Sequence, residues 1–175
     1  FEGLLTYHPR TLEPLPGVAE RWEKSAAGIT YTFHLRKNAL WTDGKPVTGE
    51  DFVYAWQRAV NPKTASRSAS HLYPVKNAQA INQGKISDLT QLGVRAEGNT
   101  VIVTLEAPFP PFLLLVPDHT LMPLRKDVIE KHGDQWTRPG NIVTNGPFTL
   151  AEWVPHKHII LKKNPQYWDA VKVHL

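Results

Sequence analysis

Two histidine-bearing stretches are the places where this chain could do chemistry. In "VPHKHII", His156 and His158 stand two residues apart, a spacing that puts both on one face of a β-strand, as a metal pair would need. In "VPDHT", Asp118 precedes His119, the residue types of an acid–base pair. Neither stretch gains support elsewhere in the 175 residues. No third ligand stands near the histidine pair and a lysine separates the two, so both are expected to face solvent. No G-x-S-x-G, H-E-x-x-H or Gly-rich phosphate cradle accompanies Asp118 and His119. The chain has no cysteine, which removes disulfides and thiolate metal sites and leaves the compartment open. These residues point to binding without catalysis, and to no metal or other cofactor.

A second concentration of notable residues is "FHLRKNALWTDGKPVTGEDFVYAWQR", residues 33–58, with Trp41, Asp43, Asp51 and Trp56 around a turn. The indoles would serve either as a stacking platform for a ligand or as framework. Asp43-Gly44 and Pro46 are turn chemistry, because glycine tolerates positive φ and proline fixes its own. Thr48 with Asp51 three residues on resembles a capping box, with Asp where Glu or Gln is usual, so a helix is predicted over 48–60. Phe52, Val53, Trp56 and Val60 then share one stripe, which favours the framework reading. Asn61-Pro62 ends the helix.

These residues need elements to hold them. Ile29, Tyr31, Phe33 and Leu35 alternate with polar residues, which predicts a strand over 29–36 with those four buried. Helix formers at 18–24 suggest a helical segment before it, and "FEGLL" reads as the end of an apolar helix. Residues 61–75 read as an irregular loop, followed by a short helix closed by Gly84. Gly98-Asn99 between 94–97 and 100–106 marks a hairpin. After the Pro-rich corner "APFPPFLLLVP", a helix in "LRKDVIEKHG" ends at Gly133, and two strands meet around Pro155. "WDAVKVHL" looks like the approach to a further strand, so both ends read as cuts through a larger protein. Strands and helices interspersed without regular βαβ alternation indicate an α+β (mixed α/β) fold. The longest apolar run, "FLLLV" at 112–116, falls well short of the roughly 18–20 residues of a membrane-spanning helix. The net charge of +4 is scattered, without the basic cluster that a nucleic-acid partner would require.

The ordered set "FEGLL", "PGVAERWE", "YTFHLRKNALWTDGKPVTGEDFVYAWQR", "NPKTAS", "LGVRA", "LEAPFPPF", "NIVTNGPFTL" and "KKNPQYWD" resembles the extracytoplasmic solute-binding proteins of peptide ABC transporters, of the oligopeptide-binding and murein-tripeptide-binding type. The resemblance covers nearly the whole chain. It implies an amino-proximal fragment of a three-domain, two-lobed periplasmic receptor (type II solute-binding architecture), cut free of its signal peptide. Residues 1–124 would be most of the second domain and 125–175 part of the first, with the third domain, which holds the ligand's α-ammonium, absent. The implied partners are a peptide ligand and the membrane permease of an ABC importer, with no cofactor, no nucleic acid and a monomeric state. In the family, an aromatic residue after the "NP-T-S" stretch and a histidine in the corner after the "PF" segment approach the ligand. The equivalent positions here hold Ser68, and Asp118 followed by His119. The resemblance treats the tryptophan-rich block as framework. Two other classes remain: a free-standing cell-wall or carbohydrate-binding module using the six tryptophans, and a small hydrolase built on Asp118 and His119.

Overall fold

The computed structural model describes residues 1–174. In chain order the strands and α-helices are β1 (Leu5–Tyr7), β2 (Pro14–Pro16), β3 (Ala19–Lys24), β4 (Thr30–Leu35), α1 (Gly49–Val60), α2 (Ala78–Asn82), β5 (Val94–Glu97), β6 (Thr100–Thr104), α3 (Phe112–Leu115), α4 (Lys126–His132), β7 (Phe148–Val154) and β8 (His158–Lys163). The alternation read in β4 has the expected consequence: Tyr31, Phe33 and Leu35 are buried, and Ile29, just outside the strand, packs half-buried against them. β4 sits inside a four-stranded antiparallel sheet of order β3-β4-β6-β5, and β5 and β6 form the predicted hairpin. α1 packs on the sheet through β5 and β6, burying Phe52 and Trp56. The helix approaches closely because its first residue is glycine: a Cβ on Gly49 would come within 2.7 Å of the Ala96 Cβ. An antiparallel sheet with helices laid on it is α+β architecture.

The segments where expectation fails have specific causes. Residues 19–24 form β3 and not a helix. A register shift between Ala19 and Arg21 brings Ala19 opposite Leu35 and Trp22 opposite Phe33, so the inward positions are three apart and mimic helical spacing. "FEGLL" leads into β1, whose partner β2 is also short. Near 61–75 the chain is more ordered than a loop, with 3-10 turns at Pro62–Thr64 and Ala69–Leu72. A 3-10 turn at Ala170–Lys172 occupies the segment read as the approach to a further strand, and Leu175 lies outside the described residues. His156 and His158 do not share a strand face. His156 occupies the β7–β8 turn at φ 61, and His158 Nε2 lies 3.0 Å from Glu152 Oε1 on the neighbouring strand.

Two polar clusters join residues 1–124 to the remainder. Glu2 exchanges bonds of 2.9 Å with the Asn145 side chain through its own backbone, and its carboxylate accepts from Tyr167 Oη and from Trp168 Nε1 (2.7 Å). The Arg36 guanidinium stacks 3.4 Å over the Trp168 ring. In the second cluster, the buried Arg125 donates to both oxygens of Asp43 (3.0 and 2.9 Å) and to Asp127, which also accepts from Lys45. The Arg125 bonds hold the Asp127 carboxyl far below its ordinary range. Asp43 is therefore both a turn residue and an anchor.

Burial raises the Glu2 carboxyl above its ordinary 4.5, outweighing the bonds from Tyr167 and Trp168 and the nearby Arg36. A raised value means that the folded state favours the protonated form. The corresponding stability is present below the ordinary value and is lost as pH rises through the raised one. Urea titrations from about pH 4 to pH 7 should show the wild type losing stability relative to Glu2→Gln as pH rises; a difference moving the other way would contradict the burial argument.

Candidate ligand-binding site

The helix α1 and the corner at 117–124 build one recess between them. Two tethers fix the corner. Trp56 Nε1, fully buried, donates to the Leu121 carbonyl at 2.8 Å, and the Asp51 carbonyl accepts from Leu124 N at 3.2 Å. Tyr7 Oη, reaching from β1, donates to the Leu114 carbonyl at 2.7 Å and holds the preceding turn of α3. Opposite the corner, the chain leaves α1 through Asn61-Pro62 and turns back at Ala65, a non-glycine residue in the left-handed region at φ 51.

The recess is an open cleft of about 170 Å³. Its polar rim is Arg58, Thr64, Ser66, Ser68, His119 and Thr120, and its floor includes Ala55 and Ala59 of α1 with Met122. Thus Ser68 and His119, far apart in sequence, line the same cavity. Ser68 also starts the 3-10 turn at Ala69–Leu72, its carbonyl accepting from His71 N at 3.0 Å. Asp118 lies beside the cleft and faces elsewhere. Its Oδ1 accepts from Thr120 N at 2.8 Å and lies 3.1 Å from His71 Nδ1, against 3.5 Å from His119 Nδ1. Burial opposes the Asp118 charge, but the Thr120 bonds, His71 and the neighbouring His119 prevail and hold its carboxyl below the ordinary range. A carboxylate fixed in its charged form as an Asx-type turn anchor suits structure better than proton transfer.

Sequence reading missed Arg58 and His71. For Arg58 the signal was present in "AWQRA": two alanines one helical turn apart leave space beside the arginine between them. For His71 there was none, because its position opposite Asp118 depends on how the 61–75 segment folds back.

The tryptophans settle the platform question. Trp41 and Trp56 are fully buried, and of the six only Trp153 is exposed, at 40%. Trp41 Nε1 donates to Asp51 Oδ2 at 3.2 Å, the oxygen that also accepts from Thr48 N (2.8 Å) and Thr48 Oγ1 (3.0 Å). The predicted capping box is present and extended by an indole. A surface of exposed tryptophans for a sugar ligand is not formed.

Residues 13–175 match the family model of the bacterial extracellular solute-binding proteins, family 5, middle. The chain belongs to this family. It is 47% identical over 98% of its length to the periplasmic oligopeptide-binding protein OppA of Escherichia coli, and 50% identical over 97% to the probable deoxycholate-binding periplasmic protein YgiS of the same organism. It spans about a third (32%) of each of these relatives. Among solved structures, the murein tripeptide-binding protein MppA in its unliganded open form superposes with a TM-score of 0.94 at 42% identity, over 100% of this chain and 34% of that one. Haemophilus influenzae OppA in complex with the peptide RPPGFSPFR gives 0.92 at 42%, over 97% and 33%. The structure thus matches about a third of each of these proteins.

Because Trp56 both fills the core and holds the corner, Trp56→Ala should destabilise the fold by about 3 to 5 kcal/mol in denaturant titrations. A loss under about 1 kcal/mol would show that the indole is not part of the core.

Proposed function

We propose that these residues belong to a receptor that captures oligopeptides in the periplasm and delivers them to the membrane permease of an ABC importer. The observation that carries this reading is the superposition, over nearly the whole chain, on an OppA solved with a bound peptide. The receptor works by binding alone, as a monomer and without a cofactor. Residues 1–124 form most of one domain, with the cleft beside α1 on its ligand-facing side, so that Ser68 and His119 touch the ligand and Asp118 supports them. Residues 125–175 are part of a neighbouring domain. The ribbon β7–β8 supports that division, because two strands alone are marginal in water and this pair exposes Trp153, Ile159 and Leu161. A second reading is a steroid carboxylate in place of peptide, favoured by the 50% identity to the relative named for deoxycholate.

Peptide affinity in a two-lobed receptor comes from burying the ligand between both lobes, where backbone bonds are shielded from water. One wall leaves those bonds solvated and the ordering of the peptide uncompensated. Calorimetry on the full-length polypeptide should therefore give micromolar or tighter binding of tri- to pentapeptides, about −8 kcal/mol or better. The 175-residue chain should give no signal at millimolar peptide. Full-length protein that binds deoxycholate and no peptide would establish the second reading instead.

A further inference from the structure

The cleft beside α1 carries a cation with no carboxylate partner among the described residues. Arg21, Arg95 and Arg125 each pair with a carboxylate, Arg36 and Arg138 lie over tryptophan rings, and of the remaining Arg10, Arg58 and Arg67 only Arg58 lines the cleft. Arg58 is half-buried in the cleft wall, and among the described residues no carboxylate pairs with it. The cleft is lined by no acidic residue. Lining the same cleft as Arg58 are Thr64, Ser66, Ser68, Thr120 and His119, whose side chains are of types able to donate to an anion. The Thr120 Oγ1 is buried without a hydrogen-bond partner and would reach an anion only by rotating toward the cleft. The Asp118 carboxylate, next to His119 in sequence, accepts from Thr120 N and faces His71.

From this geometry we infer that the cleft is a carboxylate subsite, with Arg58 as the charge partner and the surrounding hydroxyls as further donors. The inference rests on the peptide reading, and the carboxylate is either an acidic side chain of the peptide or its C-terminus. Size permits it: engineered cavities of about 150 Å³ accept a benzene ring, and this cleft, at about 170 Å³, has room for one side chain. A guanidinium holds a carboxylate by charge-assisted, directional bonds, which a neutral amide of the same shape cannot supply to the same strength. Arg58 therefore sets ligand preference by difference, favouring Glu over Gln at whichever ligand position enters the cleft.

The test is calorimetry on the full-length polypeptide with trialanine variants carrying Glu or Gln at each of the three positions, together with trialanine as the free acid and as the C-terminal amide. One of these pairs should differ by about tenfold or more in favour of the carboxylate. Arg58→Gln should bring that ratio close to one. Ser68→Tyr, which fills the cleft from its other wall and leaves helix α1 intact, should reduce the same ratio and serves if Arg58→Gln does not fold. A Glu-over-Gln or acid-over-amide ratio that survives both substitutions, or peptide binding with no such ratio in any pair, overturns the subsite while leaving the peptide reading standing. If no peptide of the set binds, both fall together.

Discussion

A single carboxylate oxygen, Asp51 Oδ2, accepts from the Thr48 amide, the Thr48 hydroxyl and the Trp41 indole. Bonds to a charged acceptor are each worth about 1.5–3 kcal/mol net, and removing the acceptor would leave a fully buried indole N–H unpaired. Through this oxygen the turn at 41–47 is fastened to the start of α1. The carbonyl of the same residue takes Leu124 N, and one turn later Trp56 takes the Leu121 carbonyl. The helix is thereby fixed to a turn on one side and to the corner on the other. The cleft is what lies between the helix and that corner.

This arrangement separates framework from binding surface along one helix. The face carrying Phe52, Trp56 and Val60 is buried in the core, with Gly49 allowing the approach to β5. A neighbouring stripe of Ala55, Arg58 and Ala59 borders the cleft, with two small side chains leaving space beside one long cation. The polar partners across the gap come from a 3-10 segment and a Pro-bounded corner, elements whose side chains vary without disturbing the sheet. In the proposed reading, ligand preference is set by Arg58 on the helix together with the loop residues across the gap, while the tryptophan block holds them in place. Relatives named for oligopeptide and for deoxycholate, at 47% and 50% identity to this chain, fit such a division.

Local periodicity and turn chemistry made much of this legible. β4, α1 and the β5–β6 hairpin each have one dominant signal, respectively strict alternation, a capping box before an apolar stripe, and Gly-Asn between alternating runs. β3 was hidden because its bulge spaces the inward residues by three. His156 and His158 were separated by a turn that a count of two residues does not show. The site was half legible. Ser68, Asp118 and His119 came from resemblance, and the structure places two of them on the cleft and turns the third toward His71. Arg58 escaped notice because an arginine at the end of a helix ordinarily reads as a solvated cation suited to the C-terminal dipole. Its distinction lies in the cleft around it.

In the proposed reading Trp41 and Trp56, both fully buried, never meet ligand and the cleft beside α1 does. Peptide titration of the full-length polypeptide, followed by nuclear magnetic resonance with nitrogen-15 labels in tryptophan, serine and histidine, tests this most directly. Saturating peptide should move the Ser66, Ser68 and His119 signals and leave the Trp41 and Trp56 indole resonances in place. Large shifts at those two indoles, with the cleft signals unchanged, would contradict it.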